Sequence, residues 1–456
     1  MDKDTICALS TPYGISGIGI IRLSGPETFQ IVKKIFKPAR RRKLPSVWET
    51  HTVRYGHIVD GEKIVDEVLV TIMKSPSSYT REDMAEIGCH GGIAAIKSVI
   101  ALCLRNGARF AEPGEFTKRA FLNGRIDLAQ AESILEVINA KTEKSLEIAV
   151  NQLTGSLSVR ISEFRKKLLN ILTMLDYDID FSEDYGEIKK DNLYNQLNSI
   201  VVEMQQVLQT GQAGRIFTQG LKIAITGKPN VGKSSLLNLL VEEDKAIVSE
   251  IPGTTRDSIE AIINIQGVPF TIVDTAGIRH HGSGIEKIGV ERAKKWMKKA
   301  DMILVVFDSA RPLDNLDLQI LKEAKNKPHI IVLNKCDLQS RLDKKILHEN
   351  VIDSPVVKIS CLTGQGLNQL HSAIMENFYS GFCQMEDIQF ALNLRQQNSL
   401  EKAIKTLEEL RNVSNKSTDI VAEMVRYSIL CLDEISGNNI SDQVIDEIFS
   451  RFCIGK

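Results

Sequence analysis

The chain has 456 residues, 43% of them hydrophobic and 25% charged, too many for one ordinary core; at roughly 150 residues per domain about three domains are expected. A net charge of −1 excludes a global field drawing the protein onto nucleic acid or membrane, so any such contact must be a local patch. Eight scattered cysteines, with no C-x-x-C pair and no histidine at zinc spacing, exclude a disulfide frame and a structural zinc site.

The opening Met1-Asp2-Lys3-Asp4 is charged and has no long apolar run behind it. Nowhere does a membrane span of about 18 consecutive apolar residues occur, so no signal, transit or membrane segment is expected. Reduced thiols fit a cytoplasmic location.

From Thr5 to about Ala111 short apolar runs alternate with turns: Ile6 to Leu9, Gly19 to Leu23, Val65 to Met73 and Ala85 to His90 read as strands, and Glu27 to Phe36 and Ile93 to Asn106 as helices. An α+β domain is expected. Gly14-Ile15-Ser16-Gly17-Ile18-Gly19 lacks the third glycine and preceding long strand of a dinucleotide turn and reads as a plain turn. His90-Gly91-Gly92 has the look of an esterase oxyanion loop, but no G-x-S-x-G elbow exists to accompany it. The run Arg40-Arg41-Arg42-Lys43 reads as a solvated loop.

From about Phe116 the period becomes helical, with Leu128, Ala131, Ile134, Leu135 and Ile138 on one face and long helices to about Gln209. Asp176-Tyr177-Asp178-Ile179-Asp180 has a calcium loop's spacing, but Phe181 stands where that loop needs glycine, so an acidic connection between helices is expected. Near the end, Leu400, Ala403, Ile404, Leu407 and Leu410 mark one helix face, and Ile420, Met424 and Ile429 to Leu432 another. Helices on either side of the central block are expected to pair into one bundle. The closing Cys453-Ile454-Gly455-Lys456 lacks the aliphatic residues of a prenylation box.

The centre carries the strongest signal. Gly227-Lys228-Pro229-Asn230-Val231-Gly232-Lys233-Ser234 has the spacing of a phosphate loop and lies between an apolar strand, Lys222 to Thr226, and a helical run from Ser235 to Leu240. Bare glycine backbone lets successive N–H groups close on phosphate oxygens, and the helix N-terminus adds positive potential. Lys233 is expected to reach the β and γ phosphates and Ser234 to ligate Mg²⁺.

Downstream, the strand Phe270 to Val273 leads into Asp274-Thr275-Ala276-Gly277, where an acid can hold Mg²⁺ through water and a glycine can approach the γ phosphate. Ile330 to Leu333 leads into Asn334-Lys335-Cys336-Asp337, whose Asp337 carboxylate matches the paired N1 and N2 donors of guanine. Adenine has no such pair, so GTP is the expected ligand. Gly253-Thr254-Thr255-Arg256-Asp257 offers Thr255 to complete the Mg²⁺ shell, and Ser360-Cys361-Leu362, after the strand Val356 to Ile359, backs the guanine through its main chain.

Many enzymes of this kind orient the attacking water with a glutamine directly after Asp-x-x-Gly. Here that position is Ile278, which cannot do so. Of Arg279, His280, His281 and Glu286 in the following loop, the Glu286 carboxylate is the leading candidate. Asn230 and the carbonyls of Ser249 and Ile251 offer oxygens for a monovalent cation that would replace an arginine's charge.

These motifs, joined by Pro113-Gly114-Glu115-Phe116, Arg119-Ala120-Phe121-Leu122-Asn123-Gly124, Asp127-Leu128-Ala129-Gln130-Ala131-Glu132 and Phe452-Cys453-Ile454-Gly455-Lys456, give a chain that resembles the MnmE (TrmE) family of tRNA-modification GTPases over essentially its whole length. The resemblance implies a multidomain α/β fold: an N-terminal α+β folate-binding and dimerisation domain (1–118), a discontinuous α-helical bundle (119–215 and 381–456) and an inserted P-loop GTPase domain with a mostly parallel sheet (216–380). It implies GTP contacts from Asn230, Val231, Gly232, Lys233, Ser234 and Ser235, from Ser249, Glu250, Ile251, Pro252, Gly253, Thr254 and Thr255, from Asp274, Thr275, Ala276 and Gly277, and from Asn334, Lys335, Asp337, Ser360, Cys361 and Leu362. Ser234 and Thr255 match the Mg²⁺ ligands, Asn230, Ser249, Ile251 and Thr254 the K⁺ site, Glu286 the residue that positions water, and Arg22, Glu86, Arg125 and Lys456 the folate-binding positions. Cys453 matches the family's terminal cysteine.

The implied partners are a second copy of the chain, tRNA and the FAD-containing MnmG (GidA), in a heterotetramer or larger complex, with no membrane. The implied chemistry places a carboxymethylaminomethyl or aminomethyl group on C5 of the wobble uridine, using 5,10-methylene- or 5-formyltetrahydrofolate as the one-carbon form and glycine or ammonium as amine donor. His280-His281-Gly282 and Ser249 depart from the family pattern. The alternative is a ribosome-assembly regulatory GTPase, whose usual KH-like or second GTPase domain has no counterpart in this sequence.

Overall fold

The computed structural model describes residues 4–39, 49–185, 190–243, 260–274, 296–342, 354–379, 388–411 and 417–456. The chain is a multidomain α/β protein that divides into two compact units, one of Met1–Leu135, Leu153–Ile200 and Lys402–Lys456 and the other of Glu136–Gln152 and Val201–Glu401.

In the first unit β1 (Thr5–Leu9), β2 (Ile18–Ser24), β3 (Phe36–Pro38), β4 (Thr52–Asp60), β5 (Lys63–Met73), β6 (Met84–His90) and β7 (Ala108–Phe110) form one sheet in the order β3-β4-β5-β6-β2-β1-β7. Its pairs are antiparallel except β1 with β7. Strand alternation buries Val68, Val70 and Ile72 on one face of β5 and leaves Leu69 52% exposed on the other. Two helices, α1 (Thr28–Ile35) and α2 (Ile93–Arg105), set Ile31, Val32, Ile35, Ile96, Val99 and Leu102 into the same core. Each fully buried side chain of this size stabilises by about 1.5–3 kcal/mol. β3, β4 and β7 were not among the strands expected from sequence. β4 alternates and carries Arg54 and His57, so it lacks an apolar run.

The helices α3 (Glu115–Leu122), α4 (Leu128–Asn139), α5 (Glu143–Leu153), α6 (Ser156–Tyr185) and α7 (Lys190–Gln219) follow. α3 begins at Glu115, which accepts from Arg109 at 2.6 Å and from Arg119 at 3.1 Å. Burial pushes its carboxyl upward, but the two arginines prevail and hold it below the usual range. α3 ends in a Schellman motif: Gly124 N–H donates to the Phe121 carbonyl and Arg125 N–H to the Ala120 carbonyl, both at 2.9 Å. The stretch 176–180 is no connection between helices, as expected from sequence, but part of α6. Asp176 pairs with Arg426, and Asp178 accepts from Thr418 at 3.2 Å, so partners on a second helix stabilise these acids within the helical turn.

In the second unit β8 (Leu221–Thr226), β9 (Glu260–Ile265), β10 (Val268–Asp274), β11 (Met302–Asp308), β12 (His329–Asn334) and β13 (Val356–Lys358) form a sheet in the order β13-β12-β11-β8-β10-β9. It is parallel except for the β9–β10 pair. Residues 302–307 are each no more than 1% exposed, the continuous apolar run that a strand covered on both faces requires. Among its helices are α8 (Lys233–Glu243), α9 (Asn315–Ala324) and α10 (Leu367–Tyr379). The chain leaves β8 for β10 on one side and later reaches β11 on the other, so the end of β8 is a topological switch point, where such sheets bind ligands.

After this block come α11 (Leu394–Arg411), α12 (Thr418–Ser436) and α13 (Asp442–Ser450). α12 packs on α6, and Arg165 donates to Asp433 at 2.7 Å. The face expected on α11 is buried throughout, whereas Ile138 and Ile420 are 43% and 47% exposed. Among the described residues no helix is long and apolar enough to cross a membrane, and no group of three or more His, Cys, Asp or Glu is placed to hold a metal.

Candidate functional site

The phosphate loop occupies the switch point at the end of β8. Gly227, Asn230 and Gly232 have φ of +149°, +64° and +101°, and α8 starts at Lys233, with Leu236 N–H donating to the Gly232 carbonyl at 2.8 Å. Gly232 is required here, because a Cβ would lie 2.1 Å from Asn334 Nδ2 in a backbone region that disfavours side chains. Lys233 is buried, and its ammonium donates to the carbonyls of Gly227 at 2.9 Å and Lys228 at 2.7 Å. A buried charge must be satisfied, and these carbonyls do so. Ser234 and Ser235 are exposed on the first turn of α8.

Asn334, 2% exposed, joins three loops. Its Nδ2 donates to the Val231 carbonyl at 2.8 Å, and its Oδ1 accepts from Lys335 N–H at 2.8 Å and Cys361 N–H at 3.2 Å. Lys335 donates to the Asn230 carbonyl at 3.2 Å and pairs with Asp308. Burial raises the Asp308 carboxyl, but the bonds from Lys335 and Ala310 N–H outweigh it and hold it below its usual range. Asp337 and Leu362 are exposed, and Ser360 is fully buried. Burial, with the nearby Asp337, pushes the Cys361 thiol up to about 11, so it remains a thiol at neutral pH.

Sequence reasoning did not single out Asp308 or the clasp on Lys228. Lys228 pairs at 2.7 Å with both Asp314 and Asp317, the two carboxylates of the capping box that starts α9. The only signal for Asp308 is its place at the end of a buried strand, in register with Asn334.

Ser249, Glu250, Ile251, Pro252, Gly253, Thr254, Thr255, Thr275, Ala276, Gly277 and Glu286 lie outside the described residues, as do the basic run at 40–43 and the two histidines at 280–281. Asp274 closes β10 in register with Ile225.

In the first unit Arg22 and Glu86 stand opposite each other on β2 and β6. Arg22 reaches Glu86 Oε1 through Nε at 2.9 Å and Nη2 at 2.8 Å, and donates through Nη1 to the Gly455 carbonyl at 3.3 Å. Its guanidinium lies 5.3 Å from the Tyr79 ring centroid and 5.6 Å from that of Phe116, and Arg125 lies 4.4 Å from the Tyr79 ring. The C-terminal residues are seated here: Ser10 Oγ also donates to the Gly455 carbonyl, at 3.1 Å, and Gly114 N–H to that of Cys453 at 3.4 Å. Gly455 has φ of +93°, and a Cβ there would lie 2.2 Å from the Leu9 carbonyl oxygen. Lys456 is half-buried and Cys453 exposed. Arg22, Glu86 and Arg125 are thus brought to one place. Tyr79 and Phe116, which sequence reasoning did not single out as site residues, complete it.

Residues 5–125 match the family model described as the GTP-binding protein TrmE N-terminus, and residues 128–453 that of the MnmE helical domain. The tRNA modification GTPase MnmE of Alkaliphilus oremlandii (strain OhILAs) is 45% identical over 458 residues, covering 99% of each chain. That of Bacillus subtilis (strain 168) is 43% identical over 461 residues, covering 99% of this chain and 100% of its own. Among solved structures, the G domain of the T. maritima FeoB iron transporter is 29% identical, covers 35% of this chain and 98% of its own, and has a TM-score of 0.27. Matched from end to end by these relatives and by both family models, the chain belongs to the MnmE family of tRNA modification GTPases.

Proposed function

We propose that this chain is the GTP-hydrolysing component of a complex that installs a carboxymethylaminomethyl or aminomethyl group on C5 of the tRNA wobble uridine. It would use a reduced-folate one-carbon unit together with an FAD-containing partner. The observation that carries this reading is the presence, in one chain of this family, of a phosphate loop whose lysine rests on its own carbonyls and of a separate Arg22–Glu86–Arg125 constellation against which the C-terminus is seated.

At the first site Lys233 exchanges two carbonyls for β and γ phosphate oxygens, Asp337 selects guanine, and Glu286 positions the attacking water. Mg²⁺ and K⁺, when bound, neutralise charge developing on the phosphates; Ser234 with Thr255 would hold the first and Asn230, Ser249, Ile251 and Thr254 the second. The exposed first-turn hydroxyl of Ser234 fits the Mg²⁺ role. At the second site Arg22, Glu86, Arg125 and Lys456 bind the folate. The division into residues 1–118, 119–215 with 381–456, and 216–380 assigns folate binding and homodimerisation to the first segment. Val53, Tyr55 and Leu69, each more than half exposed, are a surface that a second copy would cover. The complex is placed in the cytoplasm.

Mass analysis of wobble uridines in cells lacking the protein tests the reading, with loss of the modified nucleoside expected. Unchanged tRNA nucleosides beside accumulated ribosomal precursors would instead identify a ribosome-assembly regulatory GTPase. Hydrolysis by the purified chain is expected to run faster in KCl than in NaCl, and equal rates would remove the K⁺ site.

A further inference from the structure

Tyr79 sits on a loop with little freedom. Ser75 N–H donates to Asp83 Oδ1 at 3.0 Å, the fully buried Thr80 shares a 2.6 Å hydrogen bond with Ser24, and Asn123 Nδ2 donates to the Thr80 carbonyl at 2.7 Å. The Tyr79 hydroxyl shares a 2.9 Å bond with Thr117, itself fully buried on α3. The ring is therefore held at both ends, and two guanidiniums contact it, those of Arg22 at 5.3 Å and Arg125 at 4.4 Å.

The two cations differ in how their charge is met. Arg22 is paired with Glu86 and bonded to the Gly455 carbonyl. Arg125 has no carboxylate partner among the described residues, and its Nε is buried without any hydrogen-bond partner. A ring quadrupole meets part of the cost of such a cation, but a half-buried guanidinium whose buried Nε donor is unmatched favours an anionic acceptor. Reduced folates offer two chemistries. The pterin is neutral and presents an N–H and an amino group, which match a carboxylate, while the glutamyl tail presents carboxylates, which match the planar donor fork of an arginine.

We infer that Tyr79 is a specificity-determining positioning residue: its ring holds Arg125 for a tail carboxylate, so the stacked pair selects glutamyl-bearing reduced folates over bare reduced pterins. The inference rests on the folate reading above and adds which end of the ligand Arg125 meets and what sets its place.

The test measures binding of 5-formyltetrahydrofolate and of tail-less 6-methyltetrahydropterin to the full-length chain by calorimetry, for the wild type, Arg125→Gln, Tyr79→Leu and Tyr79→Phe. Loss of one charge-assisted pair predicts roughly tenfold weaker folate binding in Arg125→Gln and Tyr79→Leu, with pterin binding unchanged. Tyr79→Phe keeps the ring and is expected to stay near the wild type for both ligands. Equal weakening for both ligands, or no weakening in Tyr79→Leu or Arg125→Gln, would overturn the inference while leaving the folate reading of the site standing. If Tyr79→Leu does not fold, Tyr79→Met, which also removes the ring, is expected to show the same loss confined to the folate, and equal or no weakening in it would overturn the inference. A wild-type chain that binds no reduced folate would remove the folate reading itself.

Discussion

The two candidate sites of this chain are built by opposite means. The phosphate loop is a contiguous stretch shaped by backbone geometry, with positive φ at Gly227, Asn230 and Gly232, and its one buried ammonium is satisfied by the loop's own carbonyls. The constellation in the first unit uses side chains from residues 22, 79, 86, 116 and 125 and a carbonyl at 455, brought together by strand register, a helix terminus and a seated chain end. A contiguous site fails by losing one residue or one backbone conformation. An assembled site fails when any supporting element moves.

The largest expected effect breaks the first site at its single charge. Lys233→Ala should lower GTP hydrolysis by at least about 100-fold, since it removes a preorganised cation from the transferring phosphoryl group; phosphate-release kinetics measure it, and near-normal turnover would move the phosphates away from this lysine. Next, Gly232→Ala places a Cβ where Asn334 Nδ2 stands, at φ of +101°. It should cost on the order of 1–3 kcal/mol in a urea melt and weaken GDP binding, while reduced-folate affinity is unchanged. Gly455→Ala is its counterpart in the assembled site. With φ of +93° and the Leu9 carbonyl 2.2 Å from the new Cβ, the C-terminus should unseat and reduced-folate affinity should fall several-fold with GDP binding intact. Equal effects on both ligands would erase the contrast between the sites.

The smallest effect concerns β5 and β6, two inner strands of the first unit's sheet, where the Asp66 carboxylate bonds to His90 Nδ1 at 2.6 Å and to its N–H at 2.8 Å. The carboxylate raises the His90 pKa above its ordinary value. The folded state therefore favours the charged imidazole, so this contribution is complete below about pH 6.5 and is lost as pH rises through the raised value. An NMR titration should find Asp66→Asn returning His90 toward about 6.5, with both sites unaffected.

The same contrast decided what could be read in advance. The turn at 227–234 is legible because all its determinants are local: glycines where φ is positive, a strand before and a helix after. β11, although a run of seven buried residues, and β4, which alternates, are not legible in the same way, because short apolar or mixed runs carry weak periodic signals. The acidic stretch at 176–180 has a connection's composition, and Arg426 and Thr418, which hold its side chains on a helix, lie some 240 to 250 positions away.

What the sequence determined by itself is the glycine-bearing turn at 227–234 with the strand before it and the helix after it, since residue types at fixed short spacing dictate backbone conformation. Only the tertiary structure decided that Arg22 faces Glu86, that Tyr79 lies against two arginines of which one has its carboxylate, and that Gly455 is seated on the Leu9 carbonyl. Those relations depend on register and on packing between segments tens to hundreds of residues apart, and no local preference of the chain encodes them.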